Sequence, residues 1–198
     1  MPHTIVFDLF GVIALTQTDE AKRRIEALAG VSGPPFWEAY WADRQAYDAG
    51  QSSAEYWAGV ARRLDVRFAP DTIAALVEAD LASWSEADDR MVELVAELAG
   101  QGRQLGLLSN IIAELVPVFE KRHGHWLRLF TARTYSCRIG VAKPDPRAYR
   151  ICAEQLGADP RDVFFFDDTE RNVLAAREAG MTAEVFTSPE QVRALLGI

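Results

Sequence analysis

The chain has 198 residues and a formal net charge of −8, and it is 49% hydrophobic and 25% charged. This composition is typical of one globular domain, or of a core with a modest insertion. The acidic balance argues against a nucleic-acid partner, because phosphate backbones are bound by clustered Lys and Arg. The apolar runs are shorter than the roughly 18 residues that span a bilayer, so we expect no membrane partner.

The N-terminus runs directly into a predicted strand without a basic segment and a long apolar segment, so we expect no signal peptide. The chain contains two cysteines, Cys137 and Cys152, and neither lies in a motif that suggests a partner. So few cysteines indicate a reducing compartment rather than a disulfide framework, and we expect a cytoplasmic protein. The sequence leaves open whether the protein is a monomer or a homodimer.

The first predicted strand, TIVFDLF at 4–10, carries a single carboxylate, Asp8, and Gly11 follows three positions later. The chain then shows no convincing strand up to residue 84. We therefore interpret 16–84 as a small all-helical cap inserted after the first strand, with 1–15 and 85–198 forming the core. The helices predicted in the insertion lie near 19–29, 35–48, 53–64 and 71–82.

The insertion is rich in aromatic residues at helical spacing. Phe36, Trp37, Tyr40 and Trp41 recur on this pattern, which predicts the packed core of the cap rather than the lining of a substrate pocket. Arg44 could reach an anionic substrate, but we expect it on a solvated helix face.

After the insertion, short apolar runs alternate with helical patterns. This alternation predicts an α/β fold, a Rossmann-like parallel sheet with helices on both faces. Ligands bind such open sheets at the carboxyl ends of the strands. The predicted strands lie at 104–109, 133–137, 162–167 and 182–186, and the predicted helices near 111–123, 146–157, 169–179 and 188–196.

Four short motifs place polar residues at or near these strand ends. Each motif has a local explanation as a turn or a helix cap, for example Asp145 as an N-cap before Pro146. Together they indicate a functional site, because three of them are expected at one edge of one sheet. The motifs are FDLFGV around Asp8, LLSN ending at Ser109 and Asn110, GVAKPDP around Lys143, and FFFDDTERN around Asp167 and Asp168.

Asp8 is a candidate nucleophile, because carboxylates attack phosphorus and form an aspartyl-phosphate. Such a carboxylate must stay ionised beside an anionic substrate, which requires nearby positive charge. Lys143 can supply this charge, and so can Mg²⁺ held by Asp8 and Asp168, since this ion prefers a few hard oxygen ligands.

Two further predictions concern groups beside these carboxylates. The Ser109 hydroxyl and the Asn110 backbone N–H are expected to form an anion-binding corner at a helix N-terminus. Asn172 follows Asp168 by four residues and is expected on the same helix face, where it would orient that carboxylate or a metal-bound water.

The order and spacing of the motifs resemble the haloacid dehalogenase (HAD) superfamily over nearly the whole chain. SCRIGVAKPDPRAY followed by FFFDDTERNVLAAREAG resembles the phosphatase-like N-terminal domain of soluble epoxide hydrolases and bacterial sugar-phosphate phosphatases. The resemblance implies a HAD-like hydrolase that acts on a small phosphorylated metabolite such as a sugar phosphate. The roles that it implies are nucleophile for Asp8, phosphate binding for Ser109, Asn110 and Lys143, Mg²⁺ coordination by Asp8, Asp168 and the backbone carbonyl of Phe10, and support by Asp167 and Asn172.

Phe10 departs from that pattern, because phosphatases of the superfamily that this chain resembles usually carry a second aspartate there, although some in the same branch resemble this chain in lacking it. That aspartate protonates the leaving group and then activates water, and general acid–base catalysis contributes about 10²–10⁴-fold. Phenylalanine cannot transfer a proton. We therefore expect a leaving group that needs little protonation, such as the anomeric oxygen of a sugar 1-phosphate, or a substitute carboxylate that the sequence does not identify.

The runner-up interpretation is a 2-haloacid dehalogenase that uses Asp8 as its nucleophile. Those enzymes carry an aromatic residue at the position of Phe10 and need no acid, because halide leaves unaided. Val12 and the acidic pair Asp167–Asp168 depart from their pattern, and the pair favours a cation. A third interpretation, a catalytically weak HAD-fold protein kept for binding, rests only on the missing acid.

Overall fold

The computed structural model describes residues 4–198, and its centre is a parallel sheet with the strand order β3-β2-β1-β4-β5. All neighbouring strands pair in parallel. This architecture confirms the predicted fold class. The strands are β1 (Thr4–Phe7), β2 (Gln104–Ser109), β3 (Ala132–Tyr135), β4 (Val163–Asp167) and β5 (Thr182–Val185).

Helices surround the sheet, and the first six lie between β1 and β2. Those six are α1 (Asp19–Ala29), α2 (Pro34–Ala42), α3 (Arg44–Asp48), α4 (Ser53–Arg63), α5 (Pro70–Ser83) and α6 (Asp89–Gly100). The later helices are α7 (Leu115–Leu127), α8 (Ser136–Ile139), α9 (Pro146–Leu156), α10 (Glu170–Glu178) and α11 (Pro189–Leu196), with a short 3-10 helix at Pro160–Asp162. Within residues 4–198, none of these helices is both long and apolar enough to cross a membrane.

The helix starts follow the local signals. Ser52 and Glu55 form a reciprocal capping box at the start of α4. Asp145 accepts a hydrogen bond from the Arg147 N–H, and Pro146 opens α9, as predicted. The helix predicted over 35–48 is instead two helices, α2 and α3, which meet at Asp43.

Helix α6 was not among the predicted elements, although its signal is present. Asp88 caps its N-terminus, and Met91, Leu94, Val95 and Leu98 are buried along one face. This spacing of three and four residues is typical of an amphipathic helix. The helix packs against β2 and the neighbouring α7 and α11.

The two faces of the sheet bury different apolar clusters. In β1, Ile5 and Phe7 belong to the larger cluster and Val6 to the smaller one, because successive strand residues point to opposite faces. The larger cluster also contains Tyr40 and Trp57 from the helices that follow β1. Most of the predicted cap aromatics are therefore core residues, whereas Trp41 remains half exposed.

The chain leaves and re-enters the sheet region at adjacent points. The Leu15 N–H donates to the Glu86 carbonyl at 2.9 Å, and the Asp88 N–H donates to the Ile13 carbonyl at 2.8 Å. The helices α1 to α5 are thus joined to the rest of the chain by two neighbouring segments. The predicted core segment 1–15 begins with residues 1–3, which lie outside the described part.

Candidate active site

The carboxyl edge of the sheet brings a lysine between two aspartates. Lys143 Nζ lies 2.7 Å from Asp8 Oδ1 and 2.6 Å from Asp167 Oδ2. Asp168 completes a group of three carboxylates that each offer an oxygen within 4.8 Å of the others. Asp8 and Asp167 follow or end the neighbouring strands β1 and β4, so the parallel pairing of these strands holds them side by side.

The backbone fixes one oxygen of Asp8 and leaves the other free. The Asp8 N–H donates to the Phe166 carbonyl of β4 at 2.8 Å. Oδ1 accepts from the Leu9 N–H at 2.6 Å and from Lys143. Oδ2 has no hydrogen-bond partner among residues 4–198, and Asp8 lines the cavity beside the sheet. The free oxygen is therefore the one positioned to attack an electrophile.

Asp167 is fully buried and held by several donors. Its Oδ1 accepts from the Thr169 N–H at 2.9 Å, and Asn172 Nδ2 donates to both carboxylate oxygens, at 2.9 and 3.1 Å. The prediction that Asn172 orients Asp168 is therefore wrong. Helix α10 begins at Glu170, so Asp168 precedes the helix and does not share a face with Asn172.

Asp168 lies against a glycine. A Cβ atom added to Gly11 would come within 2.1 Å of Asp168 Oδ2, and Gly11 has a φ of +84° that favours glycine. The Thr169 hydroxyl donates to Asp168 Oδ1 at 3.2 Å. Because Gly11 has no Cβ atom, the Asp168 carboxylate can occupy the space beside it.

Lys143 is fixed through its backbone by Asn110. Asn110 Nδ2 donates to the Lys143 carbonyl at 2.9 Å, and the Lys143 N–H donates to Asn110 Oδ1 at 2.8 Å. Ser109 is fully buried at the end of β2. Helix α7 begins only at Leu115, so the predicted helix N-terminus at Ser109 and Asn110 is wrong, and the intervening loop carries Asn110 to the cavity wall.

The electrostatics of the site are dominated by excess negative charge in a buried position. Burial raises the pKa of Asp8 to about 8; the Lys143 ammonium opposes this shift, and the Asp167 and Asp168 carboxylates add to it. Burial alone would lower the pKa of Lys143, but Asp8 and Asp167 raise it above its ordinary value. Burial and Asp167 also raise the pKa of Asp168.

These carboxylates have the chemistry of a divalent cation site. Three aspartates face one lysine, so a dication would balance the remaining charge, and hard oxygen donors suit Mg²⁺. Both oxygens of Asp167 are already occupied by protein donors, and Asp167 does not line the cavity, whereas Asp8 and Asp168 do and are the candidate ligands. Among residues 4–198, no backbone N–H donates to the Phe10 carbonyl, which is thus available as a third ligand.

The site opens into a cavity of about 480 Å³ between the sheet edge and the helices of the insertion. The Phe10 ring forms part of its wall and packs edge-on against Trp84 and Phe119, with centroid separations of 5.2 and 5.9 Å. The cavity is lined by Asp8, Phe10, Thr16, Gln17, Lys22, Trp41, Arg44, Asp48, Trp84, Asn110, Ile111, Leu115, Lys143, Asp168, Thr169 and Asn172.

Arg44 is buried at this cavity, and the prediction of a solvated helix face is wrong. Its Nε donates to Asp48 Oδ1 at 3.1 Å and its Nη1 to Asp80 Oδ2 at 3.1 Å. The guanidinium also lies 5.1 Å from the centroid of the Tyr40 ring and 5.4 Å from that of Tyr47. The carboxylates and aromatic rings cover most of the arginine side chain, which is 10% exposed.

Asp48 and Gln17 line the cavity but were not singled out from the sequence. The four-residue spacing of Arg44 and Asp48 is an available signal, because such pairs meet on one helix face. Gln17 donates from Nε2 to Ser83 Oγ at 2.8 Å, and its buried Oε1 has no partner among the described residues. The sequence around Gln17 contains no pattern that predicts its hydrogen bond to Ser83.

Known proteins resemble this chain over most of its length. The haloacid dehalogenase-like hydrolase family matches residues 2–180. Phosphatase MT3486 of Mycobacterium tuberculosis (strain CDC 1551 / Oshkosh) is 29% identical over 197 residues, which cover 96% of this chain and 89% of that protein.

Two solved structures share the fold. A HAD family enzyme from Bacteroides thetaiotaomicron, in complex with magnesium and inorganic phosphate, superposes with a TM-score of 0.73 at 19% identity, covering 97% of this chain and 98% of that one. L-2-haloacid dehalogenase from Xanthobacter autotrophicus has a TM-score of 0.73 at 19% identity, covering 100% of this chain and 83% of that one. With the family match over most of its length, the chain belongs to the haloacid dehalogenase-like hydrolases.

Proposed function

We propose that the protein is a Mg²⁺-dependent phosphatase that hydrolyses a small phosphorylated metabolite through an aspartyl-phosphate at Asp8. The observation that carries this proposal is the position of Lys143 Nζ, 2.7 Å from Asp8 and 2.6 Å from Asp167. The lysine opposes the protonation of Asp8 that burial favours, and it places a positive charge beside the attacking oxygen.

In this proposal Asp8 Oδ2 attacks phosphorus and the ester oxygen leaves. Water then hydrolyses the aspartyl-phosphate, so that one difficult displacement is divided into two easier ones. Lys143 and Asn110 face the cavity and would bind the phosphoryl oxygens. The Ser109 hydroxyl would also bind a phosphoryl oxygen. Its hydrogen bond to the Asn110 carbonyl is long, at 3.4 Å, and would be given up easily.

Asp8, Asp168 and the Phe10 carbonyl would hold Mg²⁺, with Asp167 and Asn172 supporting the site from behind. The bound ion would supply positive charge for the phosphoryl group and would favour the ionised form of Asp8. The HAD family enzyme that contains magnesium and inorganic phosphate supports this assignment through its shared fold.

We infer that residues 16–84 form the cap domain and that 1–15 and 85–198 form the core. The two adjacent crossings at residues 13–15 and 86–88 support these boundaries. The cavity lies between the inferred cap and the core, and its volume of about 480 Å³ suits a small metabolite. Residues of the cap would then select the leaving group.

The Asp167–Asp168 pair favours the phosphatase over a 2-haloacid dehalogenase. Without a cation, this pair would repel the carboxylate of a haloacid substrate, whereas a phosphatase uses the same charge to bind its metal. Phe10 remains the feature shared with dehalogenases. The third interpretation, a weak binding protein, predicts that Asp8 is dispensable for function.

The test is release of inorganic phosphate from p-nitrophenyl phosphate with and without Mg²⁺. We expect Mg²⁺-dependent hydrolysis that Asp8→Asn abolishes while the circular dichroism spectrum is unchanged. Lys143→Ala should lose most of the activity, whereas Lys121→Ala should retain it, because Lys121 is exposed on α7 and does not line the cavity. Chloride release from a 2-haloacid without metal, together with no phosphate release, would refute the phosphatase.

A further inference from the structure

The cavity offers a carboxylic acid in place of the aspartate that Phe10 replaces. Among the described residues that line it, the carboxylates are Asp8, Asp48 and Asp168. The first and last belong to the nucleophile and the metal site in the function proposed above, on which this inference rests. We propose that Asp48 is the general acid–base residue, which protonates the leaving group and then activates water.

A charge count around Arg44 supports this role. One guanidinium faces two buried carboxylates, Asp48 and Asp80, at 3.1 Å each. Two carboxylates that share one counter-charge do not both ionise readily in a buried position, because desolvation and their mutual repulsion favour a proton on one of them.

The hydrogen bonds indicate which carboxylate keeps the charge. Asp80 is fully buried, and its Oδ1 accepts from the Tyr40 hydroxyl at 2.6 Å and more weakly from Gln17 Nε2 at 3.4 Å. Its Oδ2 accepts from Arg44. Every partner of Asp80 is a donor, which suits the ionised form.

Asp48 has the opposite environment. Its Oδ1 accepts from Arg44 Nε, but its Oδ2 has no hydrogen-bond partner among residues 4–198. The Asp48 side chain is 12% exposed, against 1% for Asp80, and Asp48 lines the cavity. A proton on Oδ2 therefore has access to the leaving group, whereas a proton on Asp80 does not.

The surroundings of Asp48 favour its protonated form more than water does for a free carboxyl group. Burial raises the pKa of Asp48; Arg44 opposes the shift, Asp80 adds to it, and Lys143 opposes it from the core. The Asp48 backbone is also fixed, because its carbonyl accepts a hydrogen bond from Ser136 Oγ at 2.5 Å. The acid is thus anchored to the core from which the nucleophile projects.

The proton balance of the reaction is complete with Asp48 in this role. As Asp8 Oδ2 bonds to phosphorus, the ester P–O bond breaks, and its electron pair goes to the leaving oxygen. That oxygen takes the proton of Asp48 Oδ2 and departs as a neutral alcohol. Water then attacks the phosphoryl group and gives a proton back to Asp48, while the electron pair of the P–O bond to Asp8 returns to the carboxylate.

The test compares activated and unactivated esters in the Asp48→Asn variant. On p-nitrophenyl phosphate, whose leaving group needs little protonation, we expect a burst of one p-nitrophenol per enzyme at a near wild-type rate. Slow turnover should follow, because the water-activating base is absent. On alkyl phosphates the first step itself should slow by about 10²–10⁴-fold, without a burst.

Asp43→Asn is the matched control, because Asp43 lies near Asp48 in the chain but pairs with Arg63 at the surface. Asp43→Asn should leave the rates of hydrolysis of both esters unchanged. Wild-type turnover of alkyl phosphates by Asp48→Asn, or equal losses on both esters without a burst, would overturn the inference. Absence of phosphatase activity in the wild type would instead refute the proposed function.

A measurement on the wild type covers the case in which Asp48→Asn does not fold. Deprotonation of the acid should lower kcat/KM at high pH for an alkyl phosphate more than for p-nitrophenyl phosphate. Ionisable groups that act on both substrates change both values of kcat/KM equally, so they cancel in the ratio of kcat/KM for the alkyl phosphate to kcat/KM for p-nitrophenyl phosphate. A ratio that stays constant with pH would contradict the role of Asp48.

Discussion

Replacing Gly11 by alanine should damage the proposed metal site, because the new Cβ atom would clash with Asp168. The new Cβ would lie 2.1 Å from Asp168 Oδ2 and 2.6 Å from its Cγ, whereas ordinary contact begins at 3.4 Å. The carboxylate must therefore move by about 1.3 Å, the difference between those separations. A misplacement of about 1 Å in an active site costs about 10²-fold in rate, and we expect a loss of that size.

The same substitution also strains the backbone, because Gly11 has a φ of +84°. An L-residue in that region costs about 1–2 kcal/mol. In a domain of this size such a cost lowers Tm by about 2–8 °C. Gly102→Ala is the matched control, since Gly102 has a φ of +75° but nothing within 4 Å of the added Cβ.

The assay is Mg²⁺-dependent hydrolysis of p-nitrophenyl phosphate, with thermal unfolding of each variant measured in parallel. Both glycine variants should lose similar stability, but only Gly11→Ala should lose activity and require more Mg²⁺. If Gly11→Ala kept activity within a few-fold of the control at the same Mg²⁺ concentration, the reasoning from the Asp168 clash would be refuted.

Three further predictions concern the same edge of the sheet. Mg²⁺ should raise the Tm of the wild type, since a ligand that binds only the folded state adds about 2.7 kcal/mol to the free energy of unfolding at 100 times Kd. Asp168→Asn should remove most of this gain in Tm, and an equal gain in the variant would exclude Asp168 as a ligand. Asn172→Ala removes the two hydrogen bonds from Asn172 Nδ2 to Asp167 and should lower the free energy of unfolding by about 1–3 kcal/mol in urea titrations, whereas no change would show that water replaces the amide. Without metal, the pKa of Asp8 is 3.8 in the unfolded chain and about 8 in the folded protein. Between these values the folded state holds a proton that the unfolded state has lost, so the contribution of Asp8 to the free energy of unfolding falls as the pH rises from about 4 to about 8. Asp8→Asn should flatten that fall in EDTA, and parallel pH profiles for the variant and the wild type would contradict it.

The sheet was predictable because its signals are local. The run at 104–109 is apolar and bounded by turn residues, and β2 has the predicted bounds Gln104–Ser109. Parallel strands then bring their carboxyl ends to one edge, so the proximity of Asp8 and Asp167 follows from topology, whereas Lys143 reaches them from the loop between α8 and α9. The sequence could therefore indicate a site before any contact was known.

The partners of polar side chains were harder to predict, because they depend on where helices begin and on distant contacts. Asn172 reaches Asp167 rather than Asp168, because α10 starts after both aspartates. Arg44 is buried with its partner Asp80, which is 36 positions away in the chain. Periodicity in a single segment carries no information about such a pair.

The hydrogen bond from the Asp8 N–H to Phe166 has a consequence for motion. It continues the ladder between β1 and β4 past the last paired residues, so the Asp8 backbone cannot shift without breaking a hydrogen bond in the middle of the sheet. Central sheet hydrogen bonds open only with the larger unfolding events of a protein. In the proposed phosphatase, we therefore expect closure around a substrate to come from the helices that follow β1. Variation in those helices would then change which molecules enter the cavity without moving Asp8.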